Sequence, residues 1–259
     1  MIQGLLRRDF HVLRTTITST LIDSSVLVFF TYILYAQLLP GVGMSLESIG
    51  PIFCGVIMLL MINVSYDRVM RDGVDNTMHK LLEYHAILPL SIEQISFKYL
   101  ISYCCDILLA TGPVILGARI LYGALLPLPL SRLLFFVGAY MVVIATIAAC
   151  FFGLMISASF EWLRENAWPW LLIPINMLGC YYYPWHGAYA ISPWAGFICL
   201  LSPGTWCVEL LRAGAFGNTG YIPVFYTIPL CALLGVWAYR QGVNKLRARY
   251  GVYTHRVSS

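Results

Sequence analysis

The stretch LLFFVGAYMVVIATIAACFFGLMISASF (Leu133–Phe160) contains no Asp, Glu, Lys or Arg in 28 consecutive residues. A helix needs about 20 apolar residues to cross the hydrocarbon core of a bilayer. Strands of a transmembrane barrel alternate in segments of about ten residues, whereas this stretch is apolar around every turn of a helix. It therefore predicts a membrane-spanning helix and excludes a transmembrane β-barrel.

Composition extends this interpretation to the whole chain. Of 259 residues, 59% are hydrophobic and only 11% are charged, against about a quarter charged in ordinary soluble domains. Four further runs lack Asp, Glu, Lys and Arg: Ser24–Leu46, Ser48–Tyr66, Asn166–Val208 and Ala213–Tyr239. The sequence thus predicts an all-α membrane protein whose residues 1–259 form one transmembrane domain.

The run at Asn166–Val208 is too long for one crossing. As a single helix it would extend about 64 Å, twice the hydrocarbon thickness of about 30 Å. Pro184, Pro193 and Pro203 interrupt it, so we expect a span followed by a broken, re-entrant helix pair near 190–201 and 204–214, within an extracytoplasmic segment 184–217. Six spans result, near residues 20–39, 50–66, 99–121, 133–158, 167–183 and 221–239.

Three segments outside the spans are polar or amphipathic. Residues 1–19 place apolar residues at helical spacing opposite charged ones, which predicts an interfacial helix. Residues 67–98 are rich in charge and are expected in water; within them Asp75 can cap a short helix that Pro89 ends. A basic tail follows at 240–259.

The basic residues indicate the orientation of the chain. With six spans, thirteen of the sixteen Lys and Arg residues fall on the face of the termini. Only Arg119, Arg132 and Arg212 fall on the other face. The positive-inside rule then places both termini, the 67–98 segment and the 240–259 tail in the cytoplasm.

No motif for catalysis is visible. The chain has no phosphate-binding G-x-x-x-x-G-K-[ST], no H-E-x-x-H and no G-x-S-x-G. Its eight cysteines show no C-x2-C spacing and are interpreted as small core hydrophobes. Whether Cys180, Cys199 or Cys207 form disulfides stays open. We therefore expect no enzyme activity, no metal site and no cofactor in this chain.

Two features are candidates for a substrate pathway. Asp106 is an ionisable group inside the third span, which either faces a pathway or is paired near the cytoplasmic boundary. The second is an aromatic cluster at the outer boundary, which serves either as a membrane anchor or as a stacking surface for a glycan or lipid-linked substrate. Its members are Tyr181, Tyr182, Tyr183 and Trp185. Nearby, the spacing of Glu209 and Arg212 favours a local ion pair at the outer surface over a substrate contact.

The arrangement as a whole resembles the permease subunits of type 2 ABC transporters. Two stretches carry the resemblance. The first is MRDGVDNTMHKLLEYHAILPLS (Met70–Ser91), a charged approach, a short helix ending in two leucines and a proline before the next span. The second is ISPWAGFICLLSPGTWCVELLRAGAFG (Ile191–Gly217), with an S-P turn leading into a helix that carries a basic residue.

The resemblance implies an ATP-driven exporter. Two permease subunits, here expected as a homodimer, would form the pathway, and a separate ABC ATPase subunit would bind ATP. The short helix would be the coupling helix that contacts the ATPase, through Asp75, Met78, Lys80, Leu81, Leu82 and Glu83. Membrane lipids complete the expected partners, nucleic acid is not among them, and the location would be the inner membrane.

The substrate is open at this stage. A glycan, a lipid-linked molecule or a drug would suit such a permease, and nothing in the sequence selects among them. Two other classes share the topology: a polytopic membrane enzyme acting on lipids, and a non-transporting membrane scaffold subunit. An ATPase gene beside this one would separate the transporter from the scaffold.

Overall fold

A computed structural model describes residues 38–43, 45–78, 91–121, 129–167, 173–217 and 224–257, together with isolated positions between 22 and 34. The predicted interfacial helix at 1–19 lies outside these residues, as does most of the predicted first span at 20–39.

All regular secondary structure in the described residues is helical. After one helical turn at Leu39–Gly41, nine helices follow in order. They are α1 (Leu46–Met78), α2 (Ile92–Leu121), α3 (Leu130–Ser157), α4 (Phe160–Ala167), α5 (Ile173–Leu178), α6 (Trp185–Ile191), α7 (Pro193–Leu200), α8 (Pro203–Phe216) and α9 (Val224–Val257). The predicted all-α class is confirmed for this part of the chain.

Three of these helices are long and apolar enough to cross a membrane. The qualifying segments are Ile49–Gly73 in α1, Ile92–Ile120 in α2 and Ser131–Ser157 in α3. They match the predicted second, third and fourth spans. In α9 the apolar half ends at Arg240, and the sixth span stays a prediction.

The helix of the second span continues beyond its predicted end at residue 66. The sequence places Asp67 and the residues after it in water, but α1 continues as helix to Met78. Asp72 and Lys98 are each only 5% exposed. The expectation that both side chains sit in water is therefore wrong. Asp72 tolerates burial because Arg68, one helical turn earlier, forms an ion pair with it.

The main core forms where α3 packs along α9. A Cβ atom added at Gly153 would lie 2.9 Å from the carbonyl oxygen of Ala238, so the two backbones approach closely. The Thr146 hydroxyl donates to the carbonyl of Cys231 at 3.0 Å. Residue numbers increase together along this contact, from 146 beside 231 to 153 beside 238, so the two helices run parallel.

The predicted continuous helix over 167–183 is interrupted. The helix α5 ends at Leu178, and residues 179–184 are not helical. Cys180 has a φ of 53°, in the left-handed region that non-glycine residues seldom adopt. Residues 168–172 lie outside the described part of the chain, and the fifth span stays a prediction.

The predicted break between two short helices is present, and their re-entrant course in the membrane stays a prediction. Helices α7 and α8 meet at an angle of 96°, and each begins with a proline, Pro193 and Pro203. Proline is favoured in the first turn of a helix, where its missing N–H leaves no hydrogen bond unmade. Each proline also prevents the preceding helix from continuing, because it has no N–H to donate to a helical hydrogen bond. The two prolines therefore divide this segment into short helices.

Candidate functional site

A buried arginine joins three separate segments of the chain. Arg212 of α8 is 1% exposed, and its Nε donates to the carbonyl of Pro51 in α1 at 2.8 Å. Its Nη2 donates to the carbonyls of Cys180 at 2.8 Å and Tyr181 at 3.1 Å. The guanidinium thus holds the non-helical segment 179–184 between α1 and α8, and we call it the arginine clamp.

Glu209 balances the charge of this clamp. Its Oε1 accepts hydrogen bonds from Arg212 Nη1 at 2.8 Å and from the backbone N–H of Trp185 at 3.0 Å. The predicted i,i+3 pair is therefore present. Its predicted place at the outer surface is wrong, because the Glu209 and Arg212 side chains are only 7% and 1% exposed. Burial is tolerated because backbone groups complete the hydrogen bonding of both ions.

The four aromatic candidates do not form one surface. Tyr181 and Trp185 are buried, whereas Tyr182 and Tyr183 are 59% and 37% exposed. The indole N–H of Trp185 donates to the carbonyl of Gly196 at 2.8 Å, which fixes α6 against α7. Only Tyr182 and Tyr183 are placed to meet a membrane or a ligand from outside.

The ring of Tyr181 occupies a notch between two glycines. A Cβ atom added at Gly179 or Gly204 would overlap that ring or its hydroxyl. Within the described part of the chain, the buried hydroxyls of Tyr181 and Ser202 have no hydrogen-bond partner. The tyrosine ring therefore fills the notch, and the hydroxyls of Tyr181 and Ser202 add two polar atoms to this buried region.

Asp106 lies in a second charged cluster. Its Oδ2 accepts from Arg68 Nη1 at 2.9 Å and lies 3.9 Å from Arg71 Nη2. Arg68 also donates through Nε to both oxygens of Asp72, at 3.1 and 3.2 Å. Of the two predicted roles of Asp106, pairing is the one observed. Arg68 joins α1 to α2 through these two carboxylates.

Two buried neighbours complete this second cluster. Tyr103 of α2 lies beside Asp72, and its hydroxyl donates to the sulfur of Met155 in α3 at 3.5 Å. Lys98 lies close enough to Asp72 to interact with its charge, and its Nζ lies 4.9 Å from the ring centroid of Tyr99. The cluster thus touches α1, α2 and α3.

The two polar sites are distinct. Gly55, against which the Tyr181 carbonyl packs, and Arg68 lie on the same helix. At 1.5 Å per residue they are separated by about 20 Å along its axis. Asp106 is therefore not brought together with the aromatic candidates. Instead, α1 carries the arginine clamp near its first residues and the charged cluster toward its last.

The predicted coupling residues are only partly described. Asp75 and Met78 belong to the last turns of α1, so Asp75 does not begin a separate helix and its predicted role as an N-cap is wrong. Lys80, Leu81, Leu82 and Glu83 lie outside the described residues. Their coupling role stays a prediction.

Sequence reasoning missed the pairing of Arg68 with Asp72 and Asp106. The four-residue spacing of Arg68 and Asp72 was a usable signal, since such residues are neighbours on a helix. Asp106 is 38 residues from Arg68 in the sequence, and no local pattern predicts a contact over that separation.

Both sites connect helices through buried ion pairs and hydrogen bonds. No group of three His, Cys, Asp or Glu residues able to hold a metal ion occurs among the described residues. A groove of about 450 Å³ opens where α3 meets α4, lined by Leu154, Ser157, Ala158, Ser159 and Trp162. It touches neither charged site.

Comparison with known proteins gave no match to a protein family, to a curated protein or to a solved structure.

Proposed function

We propose that this chain is the membrane permease subunit of an ATP-driven ABC exporter. Two permease subunits, a homodimer, would form the translocation pathway, and a separate ABC ATPase subunit would bind and hydrolyse ATP. The observation that carries the proposal is the connection that α1 makes. It links the broken pair α7 and α8, through the arginine clamp, to the segment that resembles a coupling helix.

This connection supplies a path for force. From Pro51 to Met78, α1 is one continuous helix of about 40 Å. The clamp attaches its first turns to α8, and Arg68 attaches its later turns to α2. A helix held at both positions transmits displacement as a unit. Movement of the coupling segment by an ATPase would therefore reach the broken helix pair.

The rest of the proposal follows the sequence. The excess of basic residues at one face favours both termini in the cytoplasm, and the resemblance to exporter permeases favours the inner membrane. A glycan, a lipid-linked molecule or a drug would be the cargo. The exposed rings of Tyr182 and Tyr183 would offer such a molecule an aromatic contact at the outer face.

The first experiment tests for the partner. The purified chain is reconstituted in proteoliposomes alone and with the ABC ATPase encoded nearest to it, and ATP hydrolysis is measured. We expect no hydrolysis by the chain alone, and a stable complex whose hydrolysis differs from that of the free ATPase. Hydrolysis by the chain alone, or failure to bind any ABC ATPase of the same genome, would favour the membrane enzyme or the scaffold.

The second experiment tests the coupling segment. Replacing Leu81 and Leu82 by Asp should release or uncouple the ATPase, because each buried leucine contributes roughly 1.5–3 kcal/mol. The matched control replaces Lys80 and Glu83 by Gln, where an exposed ion pair contributes about 0–1 kcal/mol. Co-purification of the ATPase and its stimulated hydrolysis are measured in chains that insert normally. Normal coupling in the double aspartate variant would place the contact on another segment.

A further inference from the structure

One exposed stripe follows α9 from Tyr226 to Arg247. Its members follow at alternating intervals of four and three residues, so they lie on one face of the helix. They are Tyr226, Leu230, Leu233, Trp237, Arg240, Asn244 and Arg247. The apolar members are between 38% and 66% exposed, and Arg240, Asn244 and Arg247 are exposed as well. This lipid stripe changes character once, from apolar to polar, at Trp237.

The order of residues along the stripe matches the layers of a bilayer leaflet. Leucines face the hydrocarbon, a tryptophan suits the interface, and arginines suit the headgroup layer. Arg240 lies about 4.5 Å beyond Trp237 along the axis. The headgroup region on each side of a bilayer is roughly 5–8 Å thick. With α9 as the predicted sixth span, Arg240 falls at the depth of lipid phosphates.

The geometry of the helix directs these side chains toward the membrane. Side chains of an α-helix tilt toward its N-terminus. In α9 the N-terminal half is the apolar half, so this tilt favours an Arg240 side chain directed toward the bilayer. Lys245 and Arg249 are exposed within the same turns and add to the positive field.

Little negative charge opposes this field. The sequence has no Asp or Glu after Glu209. Among the described residues, the acidic partner of the stripe is Glu93 of α2, which pairs with Arg247 while both side chains remain more than half exposed. The guanidinium of Arg240 takes part in no ion pair within that described part.

We propose that Arg240 binds the phosphate headgroup of an anionic phospholipid in the leaflet around α9, while Arg247, which pairs with Glu93, adds to the positive field. A second copy of the chain fits this face less well. Two copies related by an axis along the membrane normal would pack their stripes in parallel, and Arg240 would then face Arg240. A negatively charged headgroup satisfies the same stripe from the apolar residues to the basic ones. This contact does not depend on whether the chain transports anything.

The test measures lipid preference directly. The full chain is placed in nanodiscs of equal parts phosphatidylglycerol and phosphatidylcholine, extracted mildly, and its retained lipids are counted by native mass spectrometry. We expect enrichment of phosphatidylglycerol that falls as salt is raised. Arg240→Gln should reduce the enrichment about fivefold, the effect of one basic residue near an anionic surface. Arg240→Lys should retain most of it.

Two controls identify the source of the effect. Arg164→Gln removes an exposed basic residue of α4 that pairs with Glu165 and lies off the stripe, and it should retain the wild-type preference. Soluble glycerol phosphate should not displace the lipid, since it lacks the acyl chains that lie along the leucines. Displacement by it would show a site for free phosphate and would overturn the assignment to a lipid.

Three other results would overturn the proposal. They are equal retention of the two lipids by the wild type, unchanged preference in Arg240→Gln, and a change in oligomeric state of Arg240→Gln with lipid preference intact. The last would assign the stripe to a second copy. If Arg240→Gln does not fold, two other measurements take its place. They are the lipid preference of Arg240→Glu compared with that of Arg240→Lys, and the salt dependence of the wild-type preference.

Discussion

Arg212 gives up hydration inside the protein and regains hydrogen bonds to Glu209 and to three carbonyls. Removing one member of such a buried pair leaves the other charge uncompensated. We therefore expect Arg212→Met to lower the free energy of unfolding by about 3–5 kcal/mol. The measurement is reversible unfolding of the purified chain in mixed detergent micelles.

A double variant separates the ion pair from the carbonyl contacts. Glu209→Gln combined with Arg212→Met removes both charges, and its loss of stability should be smaller than the sum of the single losses. Simple additivity would mean that the two charges do not interact. Arg164→Gln, which breaks the exposed pair with Glu165, should cost less than about 1 kcal/mol.

Arg68 and Arg71 make a matched comparison at the second cluster. Arg68 contacts two largely buried carboxylates, whereas the Arg71 side chain is 57% exposed and only approaches Asp106. Arg68→Gln should therefore destabilise the chain by about 3 kcal/mol, and Arg71→Gln by less than about 1 kcal/mol. Equal losses in the same unfolding assay would show that burial does not decide the strength of this cluster.

Local spacing predicted which residues pair, but not where the pairs lie. The Glu209–Arg212 pair follows from an interval of three on a helix. Its burial depends on Pro51, which is 161 residues away in sequence. Contacts of that range are set by the packing of whole helices, and a single sequence contains no periodic signal for them.

At the level of elements, α1 and the segment after α5 approach each other closely at Gly55. A Cβ atom at Gly55 would overlap the backbone carbonyl of Tyr181, which cannot rotate away as a flexible side chain can. Gly55→Ala should therefore separate the two segments and destabilise the chain by about 1–3 kcal/mol.

The matched control is Gly138→Ala in α3. A Cβ atom at Gly138 meets nothing within 4 Å, and alanine is favoured over glycine inside a helix by about 0.5–1 kcal/mol. Thermal unfolding of both variants in the same detergent checks the prediction. Equal behaviour of the two alanines would mean that α1 and the Tyr181 segment are not in contact.

Elements defined by long apolar runs or by proline were predictable. The second and fourth spans follow from uncharged runs, the third follows from an apolar segment that carries Asp106, and Pro193 and Pro203 mark the starts of α7 and α8. The continuation of α1 to Met78 was not predictable, because the charges after residue 66 indicate water until their partners are known. The end of α5 at Leu178 depends on the clamp that holds the carbonyls of Cys180 and Tyr181.

At the level of the whole molecule, α3 and α9 run in the same direction. If both helices span the membrane, the segment of the chain that connects them must cross the bilayer back once. The described part offers two candidates for that return: the region of the predicted fifth span, which includes α5, and the bent pair α7 and α8. Both are compatible with the alternating directions of α1, α2 and α3.

The position of Tyr182 distinguishes the two routes. If the return occurs before residue 183, Tyr182 lies on the outer face; if α7 and α8 cross instead, Tyr182 stays on the cytoplasmic face. We expect the outer face, because the neighbouring carbonyl of Tyr181 packs on Gly55, close to the start of α1, which the predicted topology places outside. Tyr182 is 59% exposed, so a cysteine there is accessible to a reagent.

A membrane-impermeant maleimide applied to intact cells should therefore label Tyr182→Cys. Arg164→Cys, on the exposed face of α4 and predicted to be cytoplasmic, should react only after lysis. The parent chain, most of whose cysteines are buried, gives the background. Labelling of Tyr182→Cys only after lysis would make α7 and α8 the crossing segment and remove the predicted fifth span. The aromatic rings at Tyr182 and Tyr183 would then face the cytoplasm, where they could not meet an exported molecule at its exit.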